Sequence, residues 1–199
     1  YNSATTTNTV TVSKANQAAL SISSTTGSYA SALTLSTTGG SSSGSVSYSY
    51  AAGSTTCTLN SPLLTASSAG TCLITATKAG DGNYNPVSST QTTITFAIAS
   101  STTTVSLDVG TLTYRVAKNI TATSSAAGKL TFRANNVVIS GCKNLSATSA
   151  NSYTKTCSYK PSTRGYVVIT VSFTPSNSSY SASTATSARQ FVTNRSGQR

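Results

Sequence analysis

Through most of its length the chain alternates apolar residues with Thr and Ser, as in SVSYSYA (45–51), TCLITATK (71–78), TTITFAI (92–98) and GYVVITVSF (165–173). A period of two points successive side chains to opposite faces, so each run predicts a strand with one face buried and the other wet. Clusters of Gly, Ser and Asn such as TTGGSSSG and KAGDGNYN interrupt the runs and mark turns. Up to Ser100, the segments LSI, ALTL, SVSYSYA, CTL, LLTAS, TCLITATK and TTITFAI make about seven short strands. Beyond Ser101, TTVSLDV, LTYRVAKNITATS, GKLTFRANNVVI, YTKTCSYK, GYVVITVSF and a last strand ending in RQFVT repeat the arrangement. Asn135 and Asn136 turn a hairpin inside RANNVV. Two such sets predict an all-β chain of two β-sandwiches in tandem, residues 14–100 and 101–199.

An additional piece precedes the first sandwich. YNSATTTNTVTVSKANQ reads like the stretch that closes that sandwich: Tyr1-Asn2 matches Tyr84-Asn85, and after a one-residue shift Val10 and Val12 fall on Ile94 and Phe96. Residues 1–13 are therefore an extra N-terminal β-strand whose own sandwich is absent. They are the last strand of a preceding repeat, or a donor strand that fills the open edge of another subunit with Val10 and Val12 in its core. Neither sandwich here visibly lacks its own last strand.

Composition narrows the class. Ser and Thr supply roughly four residues in ten and charged residues only 8%, which removes the good helix formers and their i,i+4 ion pairs. No stretch approaches the roughly 20 apolar residues that a membrane helix needs, so no membrane insertion is expected. Four Cys with no His, Met or Trp read as an exported chain whose thiols are oxidised.

The first body, with SVSYSY, then Cys57, then GTCLITATKAGDGNYNP, resembles the bacterial immunoglobulin-like repeats found in tandem in large secreted and surface proteins. The second, with TTVSLDVGTLTY, AAGKLTFRANNVVISGC and GYVVITVSFTPSNSSYSAS, is similar to a sister class of the same repeats. The resemblance implies two immunoglobulin-like β-sandwiches that serve as spacing, adhesion or filament-building modules outside a bacterial cell, and no catalysis.

Four cysteines permit three pairings. The pairs Cys57 with Cys72 and Cys142 with Cys157 are expected, because each lies within one body and closes a short loop. Zinc sites pair cysteines at CxxC spacing, whereas fourteen residues intervene within each pair here. Aligning AGTCLITATKAGDGNY on RGYVVITVSFTPSNSSY places Gly70 on Gly165 and Cys72 on Val167, so the two bridges are not the same structural feature.

Acid–base chemistry draws on His, free Cys or paired carboxylates, and this chain has only Asp81 and Asp108, in separate bodies. No enzyme, cofactor or metal site is expected. Asp81 sits in a Gly-Asp-Gly-Asn turn, where its side chain serves backbone geometry better than calcium, which needs six to eight oxygens. Asp108, Lys118 and Asn119 supply the residue types of a Lys–Asn cross-link with a nearby acid, but adjacent residues cannot bond each other across a core.

Charge is distributed unevenly. Up to Ser100, Lys14 and Lys78 stand against Asp81, a net +1; beyond it eleven Lys and Arg stand against Asp108, a net +10. Such a surface solubilises a secreted chain, or it contacts an anionic cell-surface polymer through Lys129, Arg133, Lys143, Lys155, Lys160 and Arg164. Nucleic acid is not expected, since no RNP-type or helical reading motif is present. The sequence thus points to an extracellular structural protein, a repeat segment of a surface adhesin, stalk or filament whose partners are neighbouring repeats or other copies of itself. The alternative is a carbohydrate- or anionic-polymer-binding module of a secreted protein.

Overall fold

The computed structural model describes residues 1, 3–107 and 111–194. Asn2 and Asp108, both invoked above, lie outside the described residues. The chain divides into two compact units, Tyr1–Ala97 and Ile98–Arg199.

The strands of the first unit are β1 (Leu20–Ile22), β2 (Thr26–Ser28), β3 (Leu33–Thr34), β4 (Thr37–Gly39), β5 (Val46–Ala51), β6 (Cys57–Asn60), β7 (Leu63–Ala66), β8 (Gly70–Lys78), β9 (Val87–Ser88) and β10 (Thr92–Ala97). β1 pairs with β4, and β3 with β7 and then β6, all antiparallel. β3 and β4 belong to one strand path, held through its middle by Leu35 N donating to Pro62 O and Ser23 N donating to Ser36 O. The facing sheet runs β2-β10-β8-β5, antiparallel except that β2 lies parallel to β10. These are the ABED and GFC sheets of an immunoglobulin-type sandwich, with β10 as its last strand. Inward positions follow the period of two: Cys72, Ile74 and Ala76 on β8 and Ile94 and Phe96 on β10 pack against Leu20, Ile22, Leu35 and Leu64.

The second unit contains β11 (Thr103–Leu107), β12 (Leu112–Thr113), β13 (Lys118–Ser124), β14 (Gly128–Ala134), β15 (Val137–Val138), β16 (Leu145–Ala147), β17 (Thr154–Tyr159), β18 (Gly165–Val167), β19 (Ile169–Pro175), β20 (Ser183–Thr186) and β21 (Gln190–Thr193). One sheet is β11-β13-β17. Opposite it, β14, β19 and β20 pair in that order; of the continuations β18 and β21, β21 pairs with β18 on one side and, in parallel, with β12 on the other. Ile120 and Ala122 face Leu130, Phe132, Ile169, Val171 and Phe173 in the core. Gly128 opens β14 beside Phe173, where a Cβ would overlap that ring and the Thr174 carbonyl. Asn135 and Asn136 turn the β14–β15 hairpin with positive φ of 46° and 68°, as a two-residue type I′ loop requires.

Both disulfides cross between layers. Cys57 at the start of β6 bonds Cys72 on β8, in the facing sheet. Cys142 lies in the segment between β15 and β16 and bonds Cys157 on β17, the edge of the opposite sheet. Gly70 and Gly165 each open the strand that follows the turn, and the second bridge uses the strand before it. Lys118 and Asn119 are neighbours on β13, in register with Tyr159 and Ser158.

The extra strand expected over residues 1–13 takes no place in a sheet of either unit. Its described residues join no ladder, and Val10 and Val12 are 82% and 88% exposed. The reason is occupancy: β10 already fills the place beside β8, and β20 and β21 fill the places beside β19 and β18.

Each bridge closes a loop with a sequence separation of 15. Replacing Cys57 and Cys72 together by Ala should lower stability by about 3 kcal/mol, the chain-entropy value for such a loop. Guanidinium unfolding followed by circular dichroism measures this, and the Cys142/Cys157 pair should give a loss of similar size.

Candidate functional site

The leading segment of each unit is held in the same way. In the first, Ala15 N donates to Asn83 O at 2.8 Å and Asn85 N donates to Ala15 O at 2.9 Å, a parallel bridge around Tyr84. In the second, Ala99 N donates to Ser179 O at 2.7 Å and Ser181 N donates to Ala99 O at 2.9 Å, a parallel bridge around Tyr180. Ala15 and Ala99 are therefore equivalent positions. Counting back from each, Val10 falls on Ile94 and Val12 on Phe96 with no shift, and Thr9 and Thr11 fall on the outward Thr93 and Thr95. Ile94 and Phe96 are 0% and 1% exposed. The one-residue discrepancy counted from Tyr1 thus lies upstream of Val10, outside the paired stretch.

Two side chains fix this joint in the first unit. Gln17 Oε1 accepts from the N–H groups of Ser41 and Ser42, while its Nε2 donates to Ala79 O and Asn85 O. The Asp81 carboxylate accepts from Ser43 N at 2.9 Å, Asn83 N at 2.8 Å and Tyr84 N at 2.9 Å, and from the Ser43 hydroxyl. These donors, the Ser43 N–H foremost and then that of Asn83, hold its pKa below the ordinary 3.8. Both oxygens are engaged by N–H groups, an arrangement that serves a turn and opposes a cation. Among the described residues no group of three or more His, Cys, Asp or Glu is placed to hold a metal.

The basic residues of the second unit separate into distinct places. Lys129 and Arg133 lie on the outward face of β14, where Lys129 Nζ donates to Ser146 Oγ and Arg133 Nη1 to Ser172 Oγ, both at 2.7 Å. Lys143 is exposed on the segment after Cys142, and Lys155 is half-buried on β17. Lys160 and Arg164 occupy the β17–β18 loop, where the fold adds a residue the sequence reading did not select. Arg115, at a positive φ of 58°, donates its N–H to Pro161 O at 3.0 Å. Its guanidinium carbon lies 5.2 Å from the Tyr114 ring centre, and that of Arg164 lies 5.3 Å from the same centre. On the neighbouring strands Tyr166 meets Phe191 edge to face at 5.1 Å, with Arg189 3.9 Å from the Tyr166 ring centre. The adjacent Tyr-Arg pair in LTYRV was the available signal for Arg115, but only β21, flanked by β12 and β18, brings it to the loop.

No family model matches the sequence, and no curated protein matches it. The immunoglobulin-type character therefore rests on strand order. Among solved structures the chain is similar to the adhesin InvE of Yersinia pseudotuberculosis, at 16% identity and a TM-score of 0.31, over 85% of this chain. It spans 57% of that structure's own length.

The depressed Asp81 pKa gives a pH dependence with a definite sign. A carboxyl whose folded pKa lies below its unfolded value contributes stability that is present above the unfolded pKa and lost as pH falls through the folded one. The melting temperature should therefore fall as pH drops below about 4. Asp81→Asn should lower the melting temperature at pH 7 and flatten the acid decline; thermal scans from pH 7 to 2.5 measure both.

Proposed function

We propose that this chain is a segment of an extracellular repeat protein, of the kind that builds cell-surface stalks, adhesins or filaments. In this reading residues 1–13 are the closing strand of a sandwich other than the two seen here. The observation that carries it is the equivalence of Ala15 and Ala99. What precedes Ala99 is the last strand of an immunoglobulin-type sandwich, and what precedes Ala15 has the same alternation in the same register.

The physical argument is one of unsatisfied groups. An exposed segment with two valines on one side and threonines on the other, and its main chain joined to no ladder, is complementary to a sheet edge that lacks its last strand. Burying Val10 and Val12 there would contribute roughly 1.5–3 kcal/mol each. The inter-sheet disulfides support an oxidising compartment outside the cytoplasm. A hydroxyl-rich surface, nearly free of charge in the first unit, suits a spacer.

The test is assembly. Val10→Asp together with Val12→Asp should abolish polymers in material isolated from the cell surface and viewed by negative stain, while both units still melt as in the parent. Polymers that persist in this variant contradict strand donation between molecules and leave the strand to a preceding repeat of the same chain.

A further inference from the structure

We infer that the end of the second unit formed by Tyr114, Arg115, Lys160 and Arg164 is a binding site for an anionic polysaccharide, one bearing sulfate, phosphate or carboxylate groups. The inference stands apart from strand donation, which concerns the first thirteen residues.

Three cations are brought together there by backbone, not by chance of flexible side chains. The Arg115 N–H bond to Pro161 O ties the segment after β12 to the β17–β18 loop, and Tyr114 N donates to Thr193 O of β21. This arrangement places Arg115 and Lys160 on the wall of one open cavity of about 320 Å³, with Pro161 and Ser162. It also places the Arg115 and Arg164 guanidiniums against a single tyrosine ring. Like charges held close are destabilising unless an opposite charge joins them. Among the described residues none of the three head groups has a carboxylate or hydrogen-bond partner, in contrast to Lys129 and Arg133, whose heads are taken up by Ser146 and Ser172. Asp108, the one acid of the unit, lies outside the described residues.

The ring contacts also select the ligand. Base stacking in single-stranded nucleic acid binding needs a bare aromatic face, and neutral sugars pack on the same kind of surface. Here guanidiniums lie against Tyr114 and, through Arg189, against Tyr166. A guanidinium beside a ring keeps N–H groups for an oxyanion, which it can bind in two-pronged fashion. A polymer carrying repeated oxyanions satisfies those groups, whereas a nucleobase or an uncharged sugar does not.

The test uses the whole 199-residue chain and four immobilised probes: dextran sulfate, polygalacturonate, uncharged dextran and single-stranded DNA. Binding to at least one of the two acidic polysaccharides is expected, weakening steeply with added salt, with none to dextran. Arg115→Gln, Lys160→Gln and Arg164→Gln together should weaken it about tenfold, as three exposed charge contacts imply. Lys160→Gln alone should weaken it about twofold, and because this exposed side chain has no partner among the described residues, that variant tests the site without risk to the fold. Lys129→Gln with Arg133→Gln should leave it within about twofold, the size of a distant screened charge effect. Unchanged affinity in the triple variant, an equal loss in the Lys129/Arg133 variant, or DNA bound as tightly as both polysaccharides would each overturn the assignment.

Discussion

The structure depends on the pairing of the last strand. In an immunoglobulin-type sandwich this strand lies between two neighbours, and here β10 is antiparallel to β8 on one side and parallel to β2 on the other. It also delivers Ile94 and Phe96 to the centre of the core. Without it β8 would carry an open edge and the core an apolar slot, both unfavourable in water. The segment before the second unit is such a strand, and the segment before the first repeats its alternation in the same register. Among the described residues of 1–13, Val10 and Val12 are exposed and the main chain joins no ladder.

The same constraint accounts for how the units begin. The last strand runs into Ala99, and Ala99 is immediately fixed to the turn around Tyr180; Ala15 is fixed to the turn around Tyr84 in the same manner. In the first unit Gln17 and Asp81 strengthen the attachment by taking up N–H and carbonyl groups of two loops. The rarity of carboxylates gives Asp81 a structural role, and it leaves the cations of the second unit to be answered by hydroxyls, by rings or from outside. That difference separates Lys129 and Arg133, already engaged, from Arg115, Lys160 and Arg164.

Much of the fold was legible in the sequence because period-two alternation survives wherever one face of a strand is buried. Val167, Ile169, Val171 and Phe173 alternate into the core as written, and the Asn135-Asn136 turn announced its hairpin. Where the signal failed, a distant segment had changed the environment of a strand. Thr131 stands on the outward face of β14 yet is buried, because Asn144 folds back to exchange hydrogen bonds with its hydroxyl. The cluster at Tyr114 was hidden for the same reason: β12 and β18 are far apart in sequence and meet only across β21. The N-terminal segment shows the same alternation, but its described residues join no ladder in either unit and Val10 and Val12 stay exposed.

The central claim, that the N-terminal segment is a competent closing strand, is tested most directly by asking it to close the first unit. Replacing TTITFA (92–97) by NTVTVS (8–13) puts Val10 and Val12 in the places of Ile94 and Phe96; a second chimera slips the insert by one residue, which turns the valines outward. Denaturant unfolding of the two proteins is the measurement. The native-register chimera should keep a cooperative transition for this unit at a lower midpoint, because smaller side chains fill the slot, and the slipped one should show none. Indistinguishable unfolding of the two chimeras would contradict the account.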